Sequence, residues 1–318
     1  MIGGGPAGSA AAIAAQQAGA AVTLYEQSRF PRHKVCGEYL SPEVEPVLRD
    51  LGVWDELMVR QPHRLKRLVL HFPRSTKRAG LPEPAWGLSR HALDHLLIGG
   101  VHCVVRERAA DTPGAVIAAG RRIERQPAGS RQFGFKAHFT GPSTDTIELF
   151  FFDGCYVGVN GVEQGRTNVC GLGPEDTLRR AGFQPDGLLA SFPPLRDRIA
   201  PLSRAMDWLT TGPLIYGQRL DAQARAGVYL AGDALSFVDP YTGSGMLSAL
   251  LSGVSAGRAA AAGEDPRAHY GRCSGMLRRA YLVSSLFRFA IRTGAADLLL
   301  PLVPGRALVS WTRPDRSR

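Results

Sequence analysis

The sequence predicts an α/β fold in which a parallel-sheet unit is interleaved with an antiparallel sheet. Three observations predict it. A glycine-rich turn, Gly3-Gly4-Gly5-Pro6-Ala7-Gly8, opens an alanine-rich helix that leads into a short apolar strand. From Phe133 the pattern changes to alternation of apolar and polar residues, the period of a half-buried strand. From Gly227 to Ala262 a second strand, glycine loop and helix return the chain to the first kind of unit. With 318 residues and 44% hydrophobic content, the chain can bury the core of two domains or of one large interleaved one.

The first turn carries glycines at G-x-G-x-x-G spacing. Gly3 permits the sharp turn, Gly5 lets the backbone approach a pyrophosphate, and Gly8 lets the following helix pack closely on the sheet. The helix, Ser9 to Ala18, is nearly all alanine and ends at Gly19, a residue suited to a left-handed C-cap. Its N-terminus directs free N–H groups at phosphate. Ala20 to Tyr25 then reads as a strand closed by Glu26, about twenty residues beyond the loop, where a carboxylate accepts ribose hydroxyls. These pieces predict a Rossmann-like dinucleotide unit. Only Met1 and Ile2 stand where a buried first strand is expected.

The segment from Arg32 to Pro42 is too polar and punctuated for a strand. A helix follows from Glu43 to Leu51, with Ser41 as N-cap and Pro42 at its first position. Leu65 to Phe72 reads as a strand, Pro73 to Pro84 as a loop, and Ser89 to Leu97 as a helix. His91 and His95 have the i, i+4 spacing of zinc enzymes, but neither the glutamate of that motif nor a third ligand is apparent, so no metal site is expected. Phe133, Phe135, Ala137 and Phe139 share one strand face and Lys136 and His138 the other. Ile147 to Phe152, Tyr156 to Asn160 and Thr167 to Leu172 continue an antiparallel meander through turns at Asp153-Gly154 and Glu163-Gln164-Gly165. Pro185 to Pro213 is a helix-and-loop connection, Leu214 to Tyr216 a last strand, and Gly227 to Ala231 a buried parallel strand.

That strand ends in Gly232-Asp233-Ala234. After a loop through Asp239 and Pro240, Gly243-Ser244-Gly245-Met246 opens a helix rich in Ala, Leu and Ser. An aspartate at a strand end accepts a ribityl hydroxyl, and a glycine-rich helix start presents N–H groups to developing negative charge. Those are the needs of a flavin, whose reduced ring carries charge near N1.

Taken together, Gly3 to Gly8, Glu26, Lys34-Val35-Cys36-Gly37-Glu38-Tyr39-Leu40-Ser41-Pro42, Arg90 with Asp94, and Gly232 to Met246 resemble, in order, the flavoprotein monooxygenase superfamily of the aromatic-hydroxylase type. The Cys-Gly-Glu-x-Leu-Ser-Pro element resembles the geranylgeranyl reductase branch within it. The resemblance implies an FAD held by Gly3, Gly5, Ala7, Gly8 and Glu26 at its adenosine end, by Arg90 alongside, and by Gly232, Asp233, Gly243, Gly245 and Met246 near the ribityl chain and ring. It implies NAD(P)H as a transient reductant and Cys36 as a residue lining the substrate side of the ring, with Lys34 available to lower its pKa. Three features depart from the family: the brief first strand, the short stretch from Leu97 to Gly120, and Val116 to Arg122, which resembles a middle flavin motif without its Asp. The Tyr-x-Trp-x-Phe-Pro pattern of some prenyl reductases is absent.

The expected organisation is an FAD-binding domain at 1–60, 86–126 and 226–265, a substrate domain at 61–85 and 127–225, and a C-terminal helical region at 266–318. The expected activity is an FAD-dependent oxidoreductase acting as monooxygenase or double-bond reductase on an apolar, phenolic or prenyl substrate. The competing expectation is a non-catalytic remnant of the same fold that serves as a binding protein.

The net charge of +10 comes without basic runs interleaved with aromatics, which argues against a nucleic-acid surface. After Gly257 eleven Arg face four Asp or Glu, which reads either as a solvated helical face or as a peripheral contact with anionic lipid. Five cysteines without C-x-x-C spacing fit reduced thiols and a cytoplasmic location. No secretory signal pattern opens the chain, and the apolar stretch from Tyr281 to Val303 is broken by Arg288, Arg292, Asp297 and Pro301.

Overall fold

The computed structural model describes residues 1–120, 131–214, 227–236 and 243–292. Arg121 and Arg122, the strand residues expected at 215–216, the loop through Asp239 and Pro240, and the basic segment from 293 onward lie outside the described residues.

The first half alternates short strands with helices: α1 (Pro6–Gln17), β1 (Leu24–Tyr25), β2 (Tyr39–Leu40), α2 (Val44–Asp50), α3 (Trp54–Val59), β3 (His63–His71), β4 (Thr76–Gly87), α4 (Arg90–Gly99), β5 (Val104–Val105) and β6 (Val116–Ile117). The middle is strand-rich: β7 (Gln132–Thr140), β8 (Thr146–Phe152), β9 (Cys155–Val162) and β10 (Arg166–Pro174). Then come α5 (Glu175–Arg180), α6 (Pro185–Ala190), α7 (Pro193–Ile199), β11 (Ser203–Arg204), β12 (Leu209–Leu214), β13 (Tyr229–Leu230), α8 (Gly245–Ala261) and α9 (Pro266–Arg292).

One layer is parallel throughout. β5 pairs with β1, and β13 pairs with β6. Ile2 joins the two pairs by bridging Tyr25 on one side and Ile117 on the other, so one residue holds the central place where a strand is expected. α1 and α8 cover this layer and run side by side. The contact is close because a Cβ on Gly253 would meet the Ala7 carbonyl oxygen at 2.2 Å, and one on Gly257 the Ala11 oxygen at 2.1 Å. Leu24, Leu48, Trp54, Leu93, Leu97 and Leu250 form the core beneath the helices.

The second layer is a large sheet in the order β11-β7-β10-β9-β8-β3-β4-β2, with β12 also on β7. It is antiparallel except where β3 pairs with β8. Phe135, Phe150, Val157 and Leu195 fill its other core, against α5 to α7.

Three local expectations are corrected. The stretch from Pro73 to Pro84 is mostly strand, not loop, since β4 pairs with β3 from Thr76 to Gly80 and again from Ala85 to Gly87, across an irregularity that holds Pro82 and Pro84. β4 meets β2 only at Trp86 and Gly87, so most of it is an edge, where exposed charge and Pro82 and Pro84 are tolerated and the period is obscured. The helix after Ser41 begins at Val44 with Glu43 at the N-cap, and the Ser41 hydroxyl is buried without a partner. The face of β7 carrying Lys136 and His138 is as buried as the apolar one, at 0% and 1% exposed. No described helix is long and apolar enough to cross a membrane.

Candidate functional site

The phosphate-type loop closes on the parallel layer. Gly3 has φ +97° and donates its N–H to Tyr25 O at 2.9 Å; a Cβ here would fall 2.4 Å from Ala118 O. α1 starts at Pro6 with no side-chain cap although its whole first turn is buried. A buried helix start without a cap leaves N–H groups for a ligand to satisfy. Ala7 and Gly8 belong to that turn, and Gly5 is its N-cap.

Glu26 ends beside the loop. Its Oε2 accepts from Gly4 N–H at 2.9 Å and from Arg32 at 3.2 Å, and its Oε1 accepts from Ser28 N–H at 2.7 Å. Burial alone raises its pKa, but the Ser28 and Gly4 N–H groups and the Arg32 charge outweigh it and hold the carboxyl below its ordinary range. Arg90 begins α4, clamps Asp94 through two bonds of 2.5 and 2.7 Å, and brings its guanidinium to 3.8 Å from where a Gly5 Cβ would stand.

The second motif meets the first. Gly232 turns at φ +60°, donates to Ser252 Oγ at 2.9 Å, and lies against Ala7, so partly buried Asp233 follows directly beside the start of α1. Gly243 has φ +63°, Gly245 opens α8 without a side-chain cap, and Met246 is buried behind it. Because Gly253 faces Ala7 and Gly257 faces Ala11, the two helices are parallel. At 1.5 Å per residue, α8 begins about 10 Å beyond the start of α1. Two helix starts without side-chain caps, staggered and pointing the same way, suit a pyrophosphate at α1 and the negative charge of a reduced flavin ring at α8.

Cys36 is partly buried beside Arg90 and Glu38, and its Sγ accepts from Glu38 N–H at 3.4 Å. Burial pushes the thiol up, and the cations acting on it are Arg90 and Lys136. The expected activation by Lys34 is therefore corrected to a neutral thiol.

The densest polar contact was not visible in the sequence. Glu38, fully buried and at φ +54°, accepts from Arg90 N–H at 2.7 Å, from Lys136 Nζ, and from His138 Nε2 at 2.6 Å. Burial raises the Glu38 pKa, but His138 and Lys136 more than offset it and keep the carboxylate ionised. A left-handed non-glycine residue tied down on every side is strain of the kind that concentrates at functional sites. Lys136 and His138 were legible as neighbours on one strand face; their partner, on a loop far away in sequence, was not.

Beside this contact a cavity of 330 Å³ opens on the adjoining face of α4, and four of the chain's eight histidines, His33, His91, His95 and His138, line it. His33 stacks on His91 with centroids 4.8 Å apart and meets His138 edge-on at 5.1 Å. Burial, Lys136 and His138 lower the His33 pKa to about 4. His91 and His95, whose spacing without a motif glutamate or third ligand predicted no metal site, meet here His33 from a distant loop and His138 from β7.

Residues 1–89 match the family model described as tryptophan halogenase. Over 68 residues the chain is 41% identical to the menaquinone reductase of Mycolicibacterium smegmatis, a match covering 21% of this chain and 17% of that protein's length. Among solved structures, the flavin-dependent brominase Bmp2 is similar at TM-score 0.79 and 20% identity, over 99% of this chain and 93% of that one. PqsL of Pseudomonas aeruginosa, described as a probable FAD-dependent monooxygenase, gives TM-score 0.66 at 15% identity over 98% and 97%. Over nearly its whole length the chain thus shares the mixed α/β fold of these solved flavin enzymes, a Rossmann-like parallel layer joined to a large mixed sheet.

Proposed function

We propose that the chain is an FAD-dependent oxidoreductase, reduced by NAD(P)H, that acts on a small aromatic or apolar substrate. The observation that carries this reading is the pair of parallel, uncapped helix starts of α1 and α8, with Glu26 fixed at Gly4 and Arg90 at Gly5. In this reading Gly5, Ala7 and Gly8 hold the pyrophosphate, Glu26 the adenosine ribose, Arg90 and Asp233 the middle of the cofactor, and Gly243, Gly245 and Met246 the ring end. When bound, FAD supplies a two-electron carrier between NAD(P)H and the substrate or oxygen. The protein contributes position, a favourable field at the α8 N-terminus, and exclusion of water. Free cysteines at all five positions support a reducing compartment such as the cytoplasm.

The family model and the solved neighbours favour oxygen-dependent chemistry on an aromatic substrate. The local identity to a menaquinone reductase, together with the Cys36 to Pro42 element that resembles the reductase branch, favours a second reading, reduction of a double bond in an apolar substrate. NAD(P)H oxidation by FAD-loaded protein, followed with and without oxygen and with phenolic, prenyl and quinone compounds, separates them. Substrate-stimulated oxygen uptake supports the first, and anaerobic alkene reduction supports the second. A protein that neither purifies yellow nor takes up FAD would leave only the binding-protein alternative.

A further inference from the structure

The cavity beside α4 gathers hydrogen-bond donors that lack a partner. An imidazole carries at least one ring N–H in either charge state, so His33, His91 and His95 each bring a donor. Among the described residues none of these three rings has a hydrogen-bond partner, and Nδ1 of His33 is buried as well. Arg166, exposed on the same wall, has no ion-pair partner among the described residues, and Arg60 is paired with exposed Glu56 at 3.0 Å. An exposed pair of that kind contributes about 0.2 to 1 kcal/mol and gives way to a better acceptor. The carboxylate on the wall, Glu163, is already committed to the start of α4: its Oε2 accepts from Ser89 N–H at 2.8 Å and its Oε1 from the Ser89 hydroxyl.

The field in the cavity has the same sense. Burial, followed by Lys136 and His138 against Glu38, lowers the His33 pKa to about 4. Burial also lowers that of His91, and His95, Arg166 and His138 add to it against Glu163. A wall that resists further positive charge favours an anionic guest. The turn that brings Glu163 and Arg166 to this wall passes through Gln164 at φ +59°, a left-handed non-glycine position of the kind that concentrates at ligand sites. Guanidinium forks suit carboxylate and phosphate alike. A phosphate, with three terminal oxygens and close to two charges, uses two guanidiniums and three imidazoles more fully.

We propose that this cavity binds a phosphate group, with the guanidiniums of Arg60 and Arg166 and the rings of His33, His91 and His95 as its donors. Arg90 and Asp94 lie on one face of α4, and His91 and His95 follow about 100° round the helix. A molecule held by its phosphate in the cavity therefore meets a different face of α4 from the flavin. Two bearers fit: the nicotinamide reductant, through the 2′-phosphate of NADPH, and a phosphorylated substrate. The site rests on the cavity's own residues, and only its assignment to the reductant rests on the function proposed above.

The test uses the full chain with no flavin added, titrated with inorganic phosphate by calorimetry and followed through the histidine ring-proton signals by NMR. Saturable binding of one phosphate per chain is expected. The signals of His33, His91 and His95 should move, and that of exposed His102, away from the cavity, should stay in place. Arg166→Gln and His91→Gln, both at exposed positions, should each weaken binding about tenfold, the loss of one hydrogen bond to a charged group, with unchanged far-UV circular dichroism. Arg267→Gln, at the exposed start of α9, should bind as wild type. Titration with NADPH and NADH then identifies the bearer. An NADPH preference that Arg166→Gln abolishes assigns the site to the reductant, and equal affinities assign it to a substrate phosphate. Absence of saturable phosphate binding, or binding that neither Arg166→Gln nor His91→Gln weakens, would overturn the proposal whether or not the protein takes up FAD.

Discussion

Glu38 and His138 stand 100 residues apart in the chain and share a 2.6 Å hydrogen bond at the seam between the two layers. With Lys136 at the same carboxylate, the seam is held by a buried ion pair rather than by apolar packing alone. Removing one partner of such a pair leaves an uncompensated charge out of water, whereas removing both together does not. Lys136→Met should therefore lower stability by about 3 to 5 kcal/mol, and Glu38→Gln with Lys136→Met should cost less than Lys136→Met alone. Urea midpoints of Lys136→Met, Glu38→Gln and the double variant decide this, and an additive pair would mean that the contact contributes no coupling.

The helix contact makes the same substitution act in opposite directions at two glycines. Gly253→Ala drives a methyl to 2.2 Å from the Ala7 carbonyl and must separate α1 from α8, an overpacking cost of about 1 to 3 kcal/mol. Gly271, exposed in α9, has nothing within 4 Å of an added Cβ, so Gly271→Ala should stabilise by about 0.5 to 1 kcal/mol through helix propensity. Thermal melts of the two variants should move in opposite directions. Gly253→Ala should also weaken FAD uptake, because it shifts the stagger between the two helix starts.

Glu26 gives a pH dependence whose sign follows from its depressed folded pKa. Its carboxylate contributes stability that is fully present above the unfolded value, about 4.5, and is lost as pH falls through the folded value. Glu26→Gln should lower stability at pH 7 by about 1.5 to 3 kcal/mol, the range for hydrogen bonds to a charged group. The gap to wild type should close in the acid range below about pH 4. A gap that stays constant from pH 7 to pH 3 would mean that the Gly4 and Ser28 bonds do not depend on charge. If the same carboxylate holds ribose, Glu26→Ala should also weaken FAD affinity by about tenfold to a hundredfold, read by quenching of flavin fluorescence.

What the sequence makes legible is what local constraint controls. Turn, helix, strand and carboxylate from Gly3 to Glu26 fall within one supersecondary unit, and each step requires a particular residue type at a short spacing. β4 was hidden because an edge strand that is mostly solvated has no apolar period to show. For Lys136 and His138, alternation identifies residues that share a face but not whether that face meets water or another layer. Glu38, arriving from a loop in the other half, decides it. His33, His91 and His138 were hidden for the same reason, since three elements must fold before their rings meet.

Cys36 carries the last prediction. It stands between the Glu38 network and Arg90, and its carbonyl accepts from Asn168 Nδ2 at 3.1 Å, so the residue is tied to the large sheet while its side chain stays on the Arg90 side. Burial keeps the thiol neutral, so its expected part in turnover is as a weakly polar surface next to the reacting centre and not as a thiolate. Cys36→Ser should leave FAD bound and slow turnover per flavin by about tenfold, the effect of disturbing one hydrogen-bonding contact. The fitting control is Cys103→Ser at an exposed position. Cys273 is buried in α9 with its Sγ 3.7 Å from His269 Nδ1, and burial pushes its thiol up to about 11, so Cys273→Ser tests packing instead. Turnover is measured with flavin content normalised. Equal rates for wild type and Cys36→Ser would leave the Cys36 to Pro42 element as a brace for Glu38 with no part in the chemistry.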